Sequence, residues 1–213
     1  MSAIKTNTRI LRDETMMETM SHGSRFFPFQ YYYENIWDFD FHAIDWHWHS
    51  ELEMMVFRSG DAICYLGEDR LEMKAGSALI INRRTLHRMD ALEENTIAPN
   101  IVFSPLLLAP KESLLYQKYV HPFLTAGPSY VTLMPAVEWQ VKCIDAIESV
   151  FAIQESNNPD ELKTVELMLA LWGMFYQHFP TNVSTGRLVD QNQIRLQMMM
   201  LSYLQEIFLG VCT

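Results

Sequence analysis

Short bursts of apolar residues, separated by glycine and acidic turns, occupy the chain from about residue 52 to residue 105. Leu52–Phe57 has the composition of a strand, and Ser59-Gly60-Asp61 supplies a turn after it. Ala62–Leu66 is set to pair with Arg70–Met73 through Gly67-Glu68-Asp69, a hairpin signal. Ala75-Gly76 turns into Ala78–Ile81, and Asn100–Phe103 reads as a closing strand before Pro105. Strands this short and closely spaced predict an antiparallel sandwich or barrel. Upstream, Phe26 to Phe41 is dense in aromatic side chains. Such a cluster serves core and arm packing, or alternatively a stacking pocket for a sugar or aromatic ligand. Residues 1–25 are polar, carry no strand signal and read as a mobile arm.

After Pro105 the period lengthens from two to about 3.6. Val137, Val141, Ile144, Ile147 and Phe151 make one stripe. Asn158-Pro159-Asp160-Glu161 predicts the next helix start, with Asn158 as N-cap, Pro at the first helical position and Glu at the third. Leu162, Val165, Leu169, Trp172, Tyr176 and Phe179 continue from it, and Leu167, Met168, Leu171 and Met174 widen the apolar surface. A helix apolar on so much of its circumference wants two neighbours, one the other helix and the second a partner subunit. Pro180 through Val189 reads as a linker. A last helix follows, capped by Asp190 and Gln193, carrying Ile194, Met198, Leu201, Leu204 and Phe208 and ended by Gly210. Its apolar face has no partner in the sequence that follows, the pattern expected of a cut through a longer chain.

The chemistry concentrates in His47-Trp48-His49-Ser50-Glu51-Leu52-Glu53. In an unbroken strand His47, His49 and Glu53 share one face, with Trp46 and Trp48 on the other. Imidazole and carboxylate are ligands for zinc, nickel, iron or manganese, and they also hydrogen-bond polar small molecules. With His87 they form a candidate set of four. Three readings stay open for it: polar groups satisfying one another inside a barrel, direct contacts to an organic ligand, and a divalent metal site. His22, His42, His121 and His178 have no partner by spacing and count as ordinary residues.

Composition narrows the picture. The chain has 213 residues, 49% hydrophobic and 20% charged, enough for one large domain or two small ones. No apolar run reaches membrane-spanning length, and the first twenty residues hold no signal-peptide core. Cys64, Cys143 and Cys212 are isolated, fitting inert thiols in a reducing cytoplasm. A net charge of −10, with Arg83, Arg84 and Arg88 as the densest basic group, argues against nucleic-acid binding by this stretch alone.

The spacing from His47 through His49 and Glu53 to Gly60 resembles the first cupin motif, and Gly76-Ser77-Ala78-Leu79-Ile80-Ile81 leading to His87 resembles the second. Asn82 and Arg84 stand where that pattern has Pro and Gly, Phe41 where it has Gly and Ala91 where it has Asn, so the turn carrying His87 is expected to differ in shape. In the order of its parts the whole chain resembles the AraC type of bacterial transcription regulator. The carrying segments are Phe27–Phe29, 47–53, 74–81, His87, 101–105, the paired helices and 193–208, the last resembling the opening helix of that family's DNA-binding domain. The resemblance implies an α+β protein: a cupin-like antiparallel β-barrel at 26–105 behind the arm at 1–25, an antiparallel helix pair in a dimerisation region at 106–180, and a final single helix in 181–213. It implies a cytoplasmic homodimer that binds a small-molecule effector and meets DNA only through a C-terminal helix-turn-helix domain, with no membrane partner and no enzymatic activity. The alternative is a metal-dependent cupin enzyme, a dioxygenase or isomerase, with His47, His49, Glu53 and His87 holding the ion.

Overall fold

Residues 6–178 are described by a computed structural model, so the linker and final helix expected in 181–213 lie outside the described residues. Among the described residues, nine strands form two antiparallel sheets. They are β1 (Phe29–Tyr32), β2 (Ala43–His47), β3 (Leu52–Val56), β4 (Ala62–Leu66), β5 (Asp69–Met73), β6 (Ala78–Ile81), β7 (His87–Ala91), β8 (Asn100–Phe103) and β9 (Tyr130–Leu133). One sheet has the order β1-β8-β3-β6-β9 and the other β2-β7-β4-β5. The two face each other as a flattened, cupin-like barrel. Helix α1 (His121–Ala126), preceded by a π turn at Tyr116–Val120, and the pair α2 (Glu138–Glu155) and α3 (Glu161–His178) complete an α+β architecture.

The five-stranded sheet is buried on both faces, which explains why β3, β6 and β8 are nearly continuous apolar runs. Leu52, Met54, Val56, Ile80, Ile101 and Phe103 point outward into a core shared with the helices. Met55, Leu79 and Ile81 point inward, where Cys64, Leu66, Met73 and Met89 meet them from the other sheet. Each fully buried side chain of this size contributes about 1.5–3 kcal/mol. The hairpin expected at Gly67 forms with a two-residue loop, Gly67 taking φ +62°.

Two expectations need correction. The barrel does not end at residue 105: β9 returns to it and pairs with β6, from Ala78 opposite Leu133 to Ile81 opposite Tyr130. β9 falls in the short stretch between Pro128 and Pro135, past the change to helical periodicity, where no strand was expected. The cap of α3 is Asp160 rather than Asn158, its Oδ1 accepting from Lys163 N at 2.8 Å. The 116–126 segment is a further neighbour of α3 that the periodicity did not predict: Phe123 packs edge-to-face on Trp172 and Phe175, and Trp172 Nε1 donates to Tyr119 O at 2.9 Å.

Helix α2 is tied to the barrel by polar contacts as well. Arg58, just past β3, reaches Glu148 Oε2 and Glu155 Oε1 at 2.6 Å each, and the Tyr31 hydroxyl donates to Glu155. Phe151 fills the space beneath, its ring 5.2 Å from that of Tyr31 and 5.5 Å from the Arg58 guanidinium carbon. Phe151→Ala is therefore expected to lower unfolding free energy by about 3–5 kcal/mol in a denaturant titration; a loss under about 1 kcal/mol would contradict this packing.

Candidate functional site

His47 and His87 face each other across the β2–β7 pair, ring centroids 4.0 Å apart. Their alignment depends on an irregularity: Ile44 is opposite Met89 and His47 opposite His87, so β2 carries one extra residue. That bulge lets both Ile44 and His47 point into the barrel despite opposite parity. The unbroken strand expected through His49 and Glu53 does not form. β2 ends at His47 and β3 begins at Leu52 in the other sheet, so the chain crosses between sheets at 48–51. His47, His49 and Glu53 nevertheless all face inward, because the space between the sheets is interior to both.

Each imidazole is oriented by a main-chain carbonyl close in sequence. Nδ1 of His47 donates to Asp45 O at 2.8 Å, Nδ1 of His49 to Glu51 O at 3.2 Å, and Nδ1 of His87 to Thr85 O at 2.8 Å. A carbonyl only accepts, so Nδ1 carries a proton in each ring and Nε2 is the atom left to face the interior, a lone-pair donor wherever the ring is neutral. One donor atom from each of the three histidines lies within 4.8 Å of the others. Glu53 Oε2 stands 3.1 Å from His49 Nε2 and 3.4 Å from His87 Nε2, and His87 Nε2 has no hydrogen-bond partner. Three lone pairs and a carboxylate facing one buried point call for a cation, either a shared proton or a metal ion. The three histidines fit a divalent ion, with the carbonyls as the outer layer that fixes ring orientation. All four residues singled out in the sequence are thus brought together.

The turn before His87 keeps a glycine-like shape without glycine. Arg84 adopts φ +61°, and its N donates to His49 O at 2.7 Å. Asn82 Nδ2 donates to Phe123 O at 2.9 Å and Pro128 O at 3.0 Å, anchoring the turn to the segment that leads into β9.

The site is larger than the sequence reading. A small cavity, with room for little more than an ion and a water, is walled on the sheet side by Tyr32, Glu34, Asn100 and Val102. Asn7, Ile10, Glu18 and His22 wall it from the N-terminal segment. Residues 6–25 lie against the barrel mouth: Glu18 N donates to Trp48 O at 2.9 Å, Trp48 N to Met16 O at 3.0 Å, and Arg12 Nη2 pairs with Asp45 Oδ2 at 2.7 Å. Gly23 makes the return to β1 possible, since a Cβ there would fall 2.5 Å from Phe29 N and O. His22, taken as an ordinary residue, has its ring 5.5 Å from that of His49 and its Nδ1 2.9 Å from the Tyr32 hydroxyl. No spacing signal links it to residues 25 positions on. Asn100 was findable, as a polar residue at an inward position of an otherwise apolar strand.

Burial and mutual charge set the protonation pattern. Burial, with His87 and His49 alongside, holds the His47 imidazole well below its ordinary pKa. Burial alone would push the Glu53 carboxyl up, but His49 and His87 outweigh it and hold it below the usual carboxylate range. Burial likewise opposes charge on His87, and the Glu53 carboxylate outweighs it, holding His87 above its ordinary value. Burial raises Glu34 from 4.5 to about 8, against the opposing hydrogen bonds from Asn7 and Asn100 and with help from Glu53 and Glu18.

Residues 33–171 match the family described as AraC-like ligand binding domain. The chain is 25% identical over 171 residues to the uncharacterized HTH-type transcriptional regulator YdeC of Bacillus subtilis strain 168, covering 76% of this chain and 57% of YdeC. It thus spans little more than half the length of that relative. Among solved structures, the AraC-like transcriptional activator CuxR is 13% identical, with 74% of this chain and 52% of that one covered at a TM-score of 0.47. A Bacillus subtilis oxalate decarboxylase with Mn(II) centres is 18% identical, with 35% and 25% covered at a TM-score of 0.28.

The raised Glu34 carboxyl gives a pH signature. Between 4.5 and about 8 the folded protein keeps a proton on Glu34 that the unfolded chain has released. Its stabilising effect is complete below the lower value and is lost as pH rises through the upper one. Glu34→Gln should remove this loss, so its stability relative to wild type, from chemical denaturation, rises between pH 5 and pH 8. A difference independent of pH would contradict a protonated Glu34.

Proposed function

The chain belongs to the family of AraC-like ligand-binding domains, and we propose that it is the effector-sensing and dimerising part of a transcription regulator. In this reading a small molecule or ion enters the barrel, and its binding controls a C-terminal helix-turn-helix domain that makes the DNA contacts. The observation that carries it is the buried polar cavity. Glu18, Glu34, Glu53 and four histidines in and around it cost desolvation energy that a barrel core has no need to spend. Groups so placed are retained for binding. His47, His49 and His87 would hold a divalent ion, zinc, nickel, iron or manganese, with Glu53 as a further ligand or a hydrogen-bond partner. The ion would supply an electrophilic anchor for an oxygen-bearing ligand. Dimerisation is assigned to the helical region, where Leu162 is 80% exposed and Leu169, two turns along α3, is 39% exposed. Coupling between sites requires only that the effector bind one arrangement of the dimer better than another. The protein is read as acting in the cytoplasm; no described helix is long and apolar enough to cross a membrane.

A second reading, a metal-dependent cupin enzyme, is favoured by the same donor set, which leaves coordination positions open. The family membership favours sensing.

Sedimentation and thermal melting of the chain, with and without Zn(II), test the proposal. We expect a dimer that Zn(II), at a hundredfold excess over its Kd, stabilises by about 2.7 kcal/mol, raising Tm by about 5–10 °C. His87→Ala should remain dimeric and lose the Tm rise. A monomer at all concentrations would refute the dimerisation, and a Tm indifferent to Zn(II), Ni(II), Fe(II) and Mn(II) would refute the metal centre.

A further inference from the structure

The hydrogen-bonding groups that line the barrel cavity are engaged with one another. Asn7 Nδ2 donates to Glu34 Oε1 and Asn100 Nδ2 to Glu34 Oε2, each at 2.9 Å. The Tyr32 hydroxyl stands 2.9 Å from His22 Nδ1, and His47, His49 and His87 commit Nδ1 to main-chain carbonyls. A sugar or other organic molecule calls for a pocket of about 300–1,000 Å³ with mostly apolar walls and polar groups turned towards the ligand. Here the space admits little more than an ion and a water, and the apolar side chains among the described lining residues are Ile10, Ile44 and Val102. Of the aromatic cluster from Phe26 to Phe41, Tyr32 alone reaches that lining, so no stacking pocket forms.

Charge selects further. Glu18, Glu34 and Glu53 line the cavity, with no Lys or Arg among the described lining residues, so an anion meets repulsion there. Glu18 and Glu53 would offset the two charges of a divalent ion, leaving no surplus for a carboxylate or phosphate to answer. Positive charge is called for where the donor atoms of His47, His49 and His87 lie within 4.8 Å of one another and His87 Nε2 has no hydrogen-bond partner. Imidazole nitrogens favour first-row transition ions, whereas Mg(II) and Ca(II) take oxygen shells. We infer that the ligand sensed by this barrel is the transition-metal ion itself, with water as its only further ligand, and not a sugar, an organic acid or another organic molecule. The inference rests on the metal centre and the sensing role proposed above, and narrows the effector from a small molecule or ion to the ion alone.

The test uses the full chain loaded with Co(II), whose visible absorption reports a change of ligands, in buffer free of coordinating anions. Azide, oxalate and glucose, each at millimolar concentration, stand for a small anion, an organic acid and a sugar. One Co(II) per chain is expected, with a spectrum that none of the three alters. The Tm rise given by Co(II) alone should not grow when any of them is added, since a further bound ligand would stabilise by mass action. Mg(II) and Ca(II) should leave Tm unchanged. Glu18→Gln removes one offsetting charge and should let azide in, seen as a new ligand-to-metal band. Its azide affinity should exceed that of the wild type by about tenfold, of the order of one unit charge acting about 10 Å away. If Glu18→Gln does not melt cooperatively, Glu53→Gln, which removes the other offsetting charge, carries the same comparison. A wild-type spectrum or Tm altered by azide, oxalate or glucose would overturn the inference and leave the metal centre standing. So would a Tm raised by Mg(II) or Ca(II) as much as by Co(II), or a charge variant that excludes azide as fully as the wild type. A wild type that binds neither Co(II) nor Zn(II) overturns the centre and this inference together.

Discussion

The five-stranded sheet separates two environments, and everything else in the molecule depends on that separation. Along β3 the outward residues Leu52, Met54 and Val56 join the helical core, while the inward residues Glu53 and Met55 belong to the barrel interior. β1 and β8 divide the same way: Tyr31 and Ile101 go to the helices, Tyr32 and Asn100 to the cavity. One strand therefore anchors α2 with one set of side chains and builds the site with the other. Because side chains alternate with period two, a one-residue slip would exchange the two sets, exposing carboxylates to the helical core. The apolar packing against α2 and α3 thus enforces the register that gathers the polar groups.

Within the cavity the dominant fact is electrostatic. Carboxyl groups from three separate segments, Glu18, Glu34 and Glu53, meet imidazoles with no Lys or Arg among the lining residues. Protonation answers part of the charge: burial raises the Glu34 carboxyl to about 8, and Glu53 holds His87 above its ordinary value against its burial. The remaining demand is concentrated where the three Nε2 atoms converge. A divalent ion would satisfy it with the geometry already present, and this is where the electrostatic argument meets the proposed sensing function.

Much of this was legible in the sequence, and what was not has identifiable causes. His47, His49, Glu53 and His87 could be read together from their spacing, with His47, Glu53 and His87 on strands and His49 on the crossing between the sheets. The path joining them was misread, since parity carries no information on which of two facing sheets a residue belongs to. The bulge in β2 was equally silent; it is a property of pairing with β7 and not of local composition. Arg84 shows the limit of motif arithmetic: the turn was expected to differ in shape because arginine stands at the pattern's glycine position, yet Arg84 itself takes the left-handed conformation, supported by the bond to His49 O. His22 and Glu18 were missed because they reach the site through contacts with Trp48 and Asp45 made by a segment lacking any regular period. The linker and final helix expected in 181–213 lie outside the described residues.

The convergence of His47, His49 and His87 on one ion is the claim on which the sensing account stands. Crystals grown with Zn(II), measured on both sides of the zinc absorption edge, test it without reference to any activity. The account predicts a single anomalous peak inside the barrel, about 2.0–2.1 Å from the Nε2 atoms of all three histidines. An empty barrel interior in crystals that hold zinc elsewhere, or a peak bound through Nδ1 with the carbonyl hydrogen bonds broken, would contradict it.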